Sequence, residues 1–312
     1  MNIVIIAEFS GLKNRPDKLD YLFFEYLKLN SNNNIILCEN NPVEMDKNIN
    51  DESVLIIFTC KPCLSAYQKN KKIYYIYDLI CMCGHTCDGS SSKCMFRGQY
   101  NYIKDNKFDY IWYKYETPIT IRLSGEYNFY KFPHMMFNPD IHKEYNLKKK
   151  YDICFFGATY PKSYPLRNKL YGILNKLKDN FNILILPYTK KHPEKMITGE
   201  DLYKFISQSY LTCACCAING SLVSKYYEIN LCGSIVLGDY PEYETERVIR
   251  DNMVYVNLQM SETEIINKIE DALNNKHLLE TYSNNTKSYL SENYMMNNGV
   301  KHFDTFFSYY FY

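Results

Sequence analysis

At 312 residues the chain has the length of about two domains, and its 36 Lys+Arg nearly cancel 35 Asp+Glu. With no long run of one sign, that balance argues against a protein that coats nucleic acid through a field of positive charge. A hydrophobic share of 46 % supports a sizeable core and excludes wholesale disorder. The 32 Tyr and 32 Asn have AT-rich codons, a bias that reports an AT-rich genome, microbial or viral, rather than a function.

From Met1 to Ser10 runs a short apolar stretch with no basic segment before it. It is too short for a signal peptide and suits a first buried strand. No segment reaches the roughly 18 apolar residues that span a bilayer. The expectation is a soluble, cytoplasmic protein whose 12 cysteines stay reduced.

Strands are expected over 2–7, 34–38, 54–58, 73–77 and 110–113. A helix is expected over 18–29, with Leu19, Leu22, Phe23, Tyr26 and Leu27 on one face. Lys148-Lys149-Lys150 forms a polar bridge to a fresh strand at 152–156. The alternation then repeats: helix 166–178, strand 182–186, helix 200–208, strand 211–217, helix 222–231 and strand 234–237. Ser261 and Glu264 have the spacing of a capping box that opens a helix carrying Ile265, Ile266, Ile269 and Leu273. Short β-rich runs alternating with helical periods predict an α/β protein with parallel sheets, in two Rossmann-like halves. The expected division is 1–148, 149–295 and an aromatic tail, 296–312, that docks on a domain.

The chemistry concentrates between positions 217 and 239. A strand gives way to a small turn, Asn219-Gly220-Ser221, and then to a helix. Free N–H groups at a helix start suit a phosphate. Glu228 lies two turns into the expected helix, where a carboxylate either accepts two ribose hydroxyls or is simply solvated.

Tyr227-Glu228-Ile-Asn-Leu-Cys-Gly233-Ser-Ile-Val-Leu237 resembles the fE-x-x-x-x-G-x-x-x-L donor-site segment of GT-B glycosyltransferases, above all the CgeB-like, or glycosyl-transferase-group-one-like, set. Asp152-Ile-Cys-Phe-Phe-Gly157 followed by Tyr164-Pro-Leu-Arg167 resembles the opening of that family's donor domain. Asn252-Met-Val-Tyr-Val256 and the helix after Ser261 resemble its closing stretch, so the likeness covers roughly 130–290. The resemblance implies a GT-B fold, with two parallel sheets facing across a cleft, and transfer of a sugar from a nucleotide-sugar donor held by the second domain. No cofactor or metal is required, and the acceptor is a glycan, lipid or protein; nucleic acid is not expected. Glu228 matches the ribose-binding glutamate. The related E-x7-E pattern is broken, because Gly220 stands eight residues before Glu228.

As the diphosphate departs, basic side chains and a helix dipole offset its charge in such enzymes. Lys162 and Arg167, after the Gly157 turn, are the nearest candidates, with a surface place on an amphipathic helix as the other reading of Arg167. Asp239 and Glu242 follow a strand and either border the donor crevice or form a solvated turn. In the first domain Asp78 leads Glu8, His85 and His134 as the candidate base. Cys81, Cys83, His85, Cys87 and Cys94, with Cys60-x-x-Cys63, have a metal-like spacing. Alternate strand residues lie about 6.6 Å apart, too far to converge on zinc without a turn, so unligated thiols are expected. Two rivals remain: a nucleotide-sugar epimerase on the same architecture, and a non-catalytic binding protein that keeps the fold.

Overall fold

Strands covered on both faces need continuous apolar runs, and such runs open the chain. In the computed structural model, which describes residues 1–13, 19–58, 61–76, 97–114, 120, 124–132, 137–186, 188, 196–216, 220, 222–242, 244 and 247–311, two compact units form. They are Met1–Phe137 with Tyr294–Tyr312, and Asn138–Asn293.

The first unit holds six parallel strands: β1 (Asn2–Ala7), β2 (Asn34–Glu39), β3 (Val54–Phe58), β4 (Lys72–Ile76), β5 (Tyr110–Tyr113) and β6 (Phe129–Lys131). Their order is β2-β1-β3-β4-β5-β6. Every residue of β3 and β4 is buried, and one face packs Val4, Ile6, Leu55, Ile57, Tyr74 and Ile76 into a single core. The helix Met296–Tyr310 belongs to this unit. It buries Val300, Phe303, Phe306 and Phe307 at helical spacing. Three of these rings surround Trp112, with centroids 5.8, 4.9 and 6.0 Å away, while Phe132 stacks on the indole at 4.6 Å. Asp304 ties this helix to the segment ahead of β2, accepting from Asn32 N–H and Asn33 Nδ2 at 3.0 Å.

The second unit repeats the design with β7 (Tyr151–Phe155), β8 (Ile183–Ile185), β9 (Ser209–Cys213), β10 (Ile235–Gly238) and β11 (Val254–Tyr255). All are parallel, in the order β11-β10-β9-β7-β8. The helix Pro165–Lys176 starts on a proline, which presets the first turn, and buries Leu166, Leu170, Ile173 and Leu174. The expected capping box is present: Glu264 N–H reaches Ser261 Oγ at 3.2 Å, and Ser261 N–H reaches Glu264 Oε2 at 2.6 Å. Gly233 has φ +77°, and a Cβ there would lie 2.7 Å from the Glu144 carboxyl carbon. Glycine meets the positive φ without strain and leaves the Glu144 side chain its place.

In both units the first strand lies between the second and the third. The chain therefore winds outward in two directions from one point, between β1 and β3 and again between β7 and β9. Crevices at such switch points, at the carboxyl ends of strands, are where α/β sheets bind ligands. Among the described residues no helix is long and apolar enough to cross a membrane.

His142 holds the start of the second unit against the helix Gly199–Ser207. Its ring is fully buried, with Asn138 N–H 3.1 Å from Nδ1 and the Tyr203 hydroxyl 3.0 Å from Nε2. Burial pushes its pKa down to about 4, against the opposing Asn138 backbone bond. An unfolded histidine titrates near 6.5, so stability is complete above that pH and falls as pH drops from about 6.5 toward 4. The loss reaches roughly 3 kcal/mol. Urea denaturation at pH 7.5 and 4.5 should show this loss in the wild type and a smaller one in His142→Gln. Equal losses would remove His142 as the cause.

Candidate functional site

The apolar run of β7 ends at Phe155, and Gly157 turns the chain with φ +98°. That left-handed conformation is closed to most side chains. The chain returns through Pro165 into its helix, which puts Arg167 in the first turn on the buried side. Arg167 is 3 % exposed. Its Nη1 donates to Ala158 O at 3.3 Å and its Nη2 to Cys215 O at 3.2 Å. One guanidinium thus spans the segments leaving β7 and β9, at the switch point itself. Tyr164 covers its face, with the ring centroid 4.2 Å away. Buried Nε has no hydrogen-bond partner, and among the described residues no carboxylate is paired with this cation. A buried charge without a counter-ion is costly. Arg167 is therefore not the surface residue of an amphipathic helix.

Lys225, which the sequence reading missed, adds a second cation. It is the first residue of the helix Lys225–Leu231. Its Nζ lies 3.4 Å from Phe156 O and 4.1 Å from the Phe156 ring centroid. A Cβ built on Gly157 would sit 2.3 Å from Lys225 Nζ and 3.4 Å from Arg167 Nη1, so both cations converge on that glycine. Burial and then the neighbouring Arg167 hold the Lys225 ammonium well below the usual lysine range, with Glu228 opposing. Its place three residues before Glu228, on the same helical face, was the available signal.

Glu228 is 7 % exposed and sits one turn after Lys225. The solvated reading of this residue fails. Asp239 follows β10 and is half-buried. Its Oδ1 accepts from Cys216 N–H at 2.8 Å and from the Tyr226 hydroxyl at 3.1 Å; that hydroxyl also lies 2.7 Å from the Asp239 carbonyl. Burial raises the carboxyl pKa against these donors. The contacts tie the segment after β9 to the helix of Lys225 and Glu228, so Asp239 is not part of a solvated turn.

Lys162 is exposed in the turn after Gly157, and Glu242 is exposed beyond β10. Gly220 has φ +69°, and the helix starts at Lys225 rather than 222, so the turn is not joined directly to it. Glu8 is exposed at the end of β1, and Cys63 is exposed with its thiol drawn down by Ser65. Asp78, His85, His134, Asn219, Ser221, Cys60, Cys81, Cys83, Cys87 and Cys94 lie outside the described residues. Among the described residues no cluster of His, Cys, Asp and Glu has a metal-holding arrangement.

The fold is similar to that of solved glycosyltransferases. Sucrose-phosphate synthase from Thermosynechococcus elongatus matches with a TM-score of 0.68 and 9 % identity, over 100 % of this chain and 99 % of that one. An alpha-glucosyltransferase solved with UDP-glucose and DNA containing an abasic site matches at 0.63 and 13 %, over 99 % of each chain. TarM matches at 0.57 and 12 %, over 85 % of this chain, which spans 57 % of the length of TarM. No protein-family model matches, and no curated protein matches in sequence. Similarity at this level of identity establishes the fold, which is GT-B.

Gly157→Ala should force a strained φ and push the Lys225 amine aside. Stability should fall by about 1–3 kcal/mol, measured by urea denaturation. A variant as stable as the wild type would mean that the turn relaxes freely.

Proposed function

We propose that the chain is a glycosyltransferase of the CgeB-like kind, moving a sugar from a nucleotide-sugar donor to a glycan, lipid or protein acceptor in the cytoplasm. The observation that carries this reading is Arg167 at the switch point of the second unit, buried, with no paired carboxylate among the described residues and with no hydrogen-bond partner on Nε. A diphosphate supplies the anion that this guanidinium lacks among the described residues, and with both Nη on carbonyls it is Nε that is left to donate to it. Glycine at 157 leaves room for Lys225 Nζ and Arg167 Nη1 to approach the backbone together. Buried Glu228 then accepts the ribose hydroxyls, since an ionised carboxylate accepts but does not donate. Support also comes from the alpha-glucosyltransferase neighbour, which was solved with UDP-glucose.

As the glycosidic bond breaks, negative charge grows on the β-phosphate oxygen. A preorganised guanidinium stabilises that charge more in the transition state than in the ground state. In this reading the cation replaces a metal, and no cofactor takes part. Lys162, Asn219, Gly220, Ser221 and Asp239 border the donor, and Asp78 serves as the base that takes the acceptor proton. Gly220, in place of the carboxylate of the related pattern, leaves the donor sugar to other contacts.

Glu228→Gln is nearly isosteric, so the fold should persist while nucleotide affinity falls about tenfold or more, equivalent to the roughly 1.5–3 kcal/mol of a hydrogen bond to a charged group. Arg167→Lys keeps a charge but loses the fork, and turnover should fall on the order of a hundredfold with a smaller change in affinity. Thermal shifts against UDP-, GDP-, ADP- and dTDP-sugars, followed by nucleotide-release assays with candidate acceptors, make these measurements. Unchanged affinity in Glu228→Gln together with normal turnover in Arg167→Lys would remove the assignment. Donor isomerisation without nucleotide release would instead identify an epimerase.

A further inference from the structure

Lys225 and Arg167 form an unusual pair, because two side chains of like charge converge on one glycine at the switch point. The groups that face Lys225 come from four directions. Arg167 reaches it from the helix Pro165–Lys176, and Glu228 lies on its own helix. Cys154 projects from β7 and Cys215 from the segment after β9. The Phe156 carbonyl and ring also lie against it. Burial pushes the Cys154 thiol up to about 12 and the Cys215 thiol higher still, so both are neutral at physiological pH. Among the described residues, the formal charges acting on Lys225 are then Arg167 and Glu228. Its amine has one weak acceptor among the described residues, Phe156 O at 3.4 Å, where an ammonium can donate three bonds.

We propose that Lys225 completes a proton-loaded clamp for the donor diphosphate, so that anion binding and uptake of a proton by Lys225 are one event. The inference rests on the donor-site reading above and deepens it. In the empty site, desolvation and the adjacent guanidinium both disfavour the ammonium. A diphosphate brings negative charge and acceptor oxygens to the same point, and both favour it. The lone pair of Nζ takes a proton from solvent, and no other bond changes.

The sign follows from linkage. The binding-competent form is the ammonium, and rising pH removes it from the empty site before it removes it from the loaded one. Between those two pKa values, affinity falls as pH rises, approaching tenfold per pH unit. Below them, affinity is flat.

The test is titration calorimetry with UDP-glucose, whose pyrophosphate diester has no group titrating near neutrality. GDP-mannose, ADP-glucose and dTDP-glucose serve as further probes. Each is titrated in two buffers of different ionisation heat, from pH 6 to 9.5. The wild type should bind at least one of them with net proton uptake on the alkaline side and an affinity that declines with pH. Lys225→Arg, whose charge is fixed, should bind without uptake and without that decline. Lys225→Met should bind more weakly, with an equally flat profile. Binding with no uptake and no pH dependence in the wild type would overturn the clamp while leaving the donor site standing. Uptake that persists in both variants would move the proton to another group and overturn it equally. Failure of every probe to bind at any pH would instead contradict the donor site, and the clamp with it.

Discussion

A guanidinium buried where two parallel strands part company organises the second unit. The segments leaving β7 and β9 diverge at the switch point, and the carbonyls of Ala158 and Cys215 face inward there. Arg167 satisfies both, at 3.3 and 3.2 Å, because its nitrogens are held in a rigid fork. A lysine in its place offers a single point of charge. The Gly157 turn, the stacked Tyr164 ring and the first residue of the Lys225 helix all pack around this group.

The parallel topology explains how distant residues meet. Every strand of the sheet points the same way, so each connection leaves from the same edge. Gly157, Arg167, Cys215, Lys225 and Asp239 are far apart in sequence yet belong to the turns at that edge. The amino-terminal edge carries a comparison within the same sheet. There Lys149 donates to Ser209 O at 2.9 Å and Gly233 O at 2.5 Å, and burial lowers its pKa to about 8. Glu144 opposes that shift and also pairs with Lys287. Both cations bridge backbone carbonyls, but Lys149 feels the charge of Glu144, whereas buried Arg167 Nε has no hydrogen-bond partner, and that difference favours a ligand at one edge and a purely structural role at the other.

Much of this architecture was legible in the sequence, for identifiable reasons. β1 and β3 match the expected 2–7 and 54–58, because strands buried on both faces write continuous apolar runs. β6 was missed because its three half-buried residues, Phe129–Lys131, leave no such run. The strand expected over 211–217 stops at Cys213, since its small residues stay buried after the ladder ends. Likewise, Leu222 is buried ahead of the helix that it was expected to begin. The site was harder to read. Charged residues are almost never fully buried without a partner, so a lone Arg167 or Lys225 reads by default as solvent-facing. Glu228 stood out through its resemblance to a motif, because helical spacing does not say whether a carboxylate faces water or a crevice.

The most direct test is a crystal structure of the chain with a bound nucleotide sugar. The diphosphate should lie at the carboxyl edge of the second sheet, with one oxygen within hydrogen-bond distance of Arg167 Nε and the ribose hydroxyls on Glu228. A nucleotide bound elsewhere, with Arg167 Nε still unpartnered, would contradict this placement.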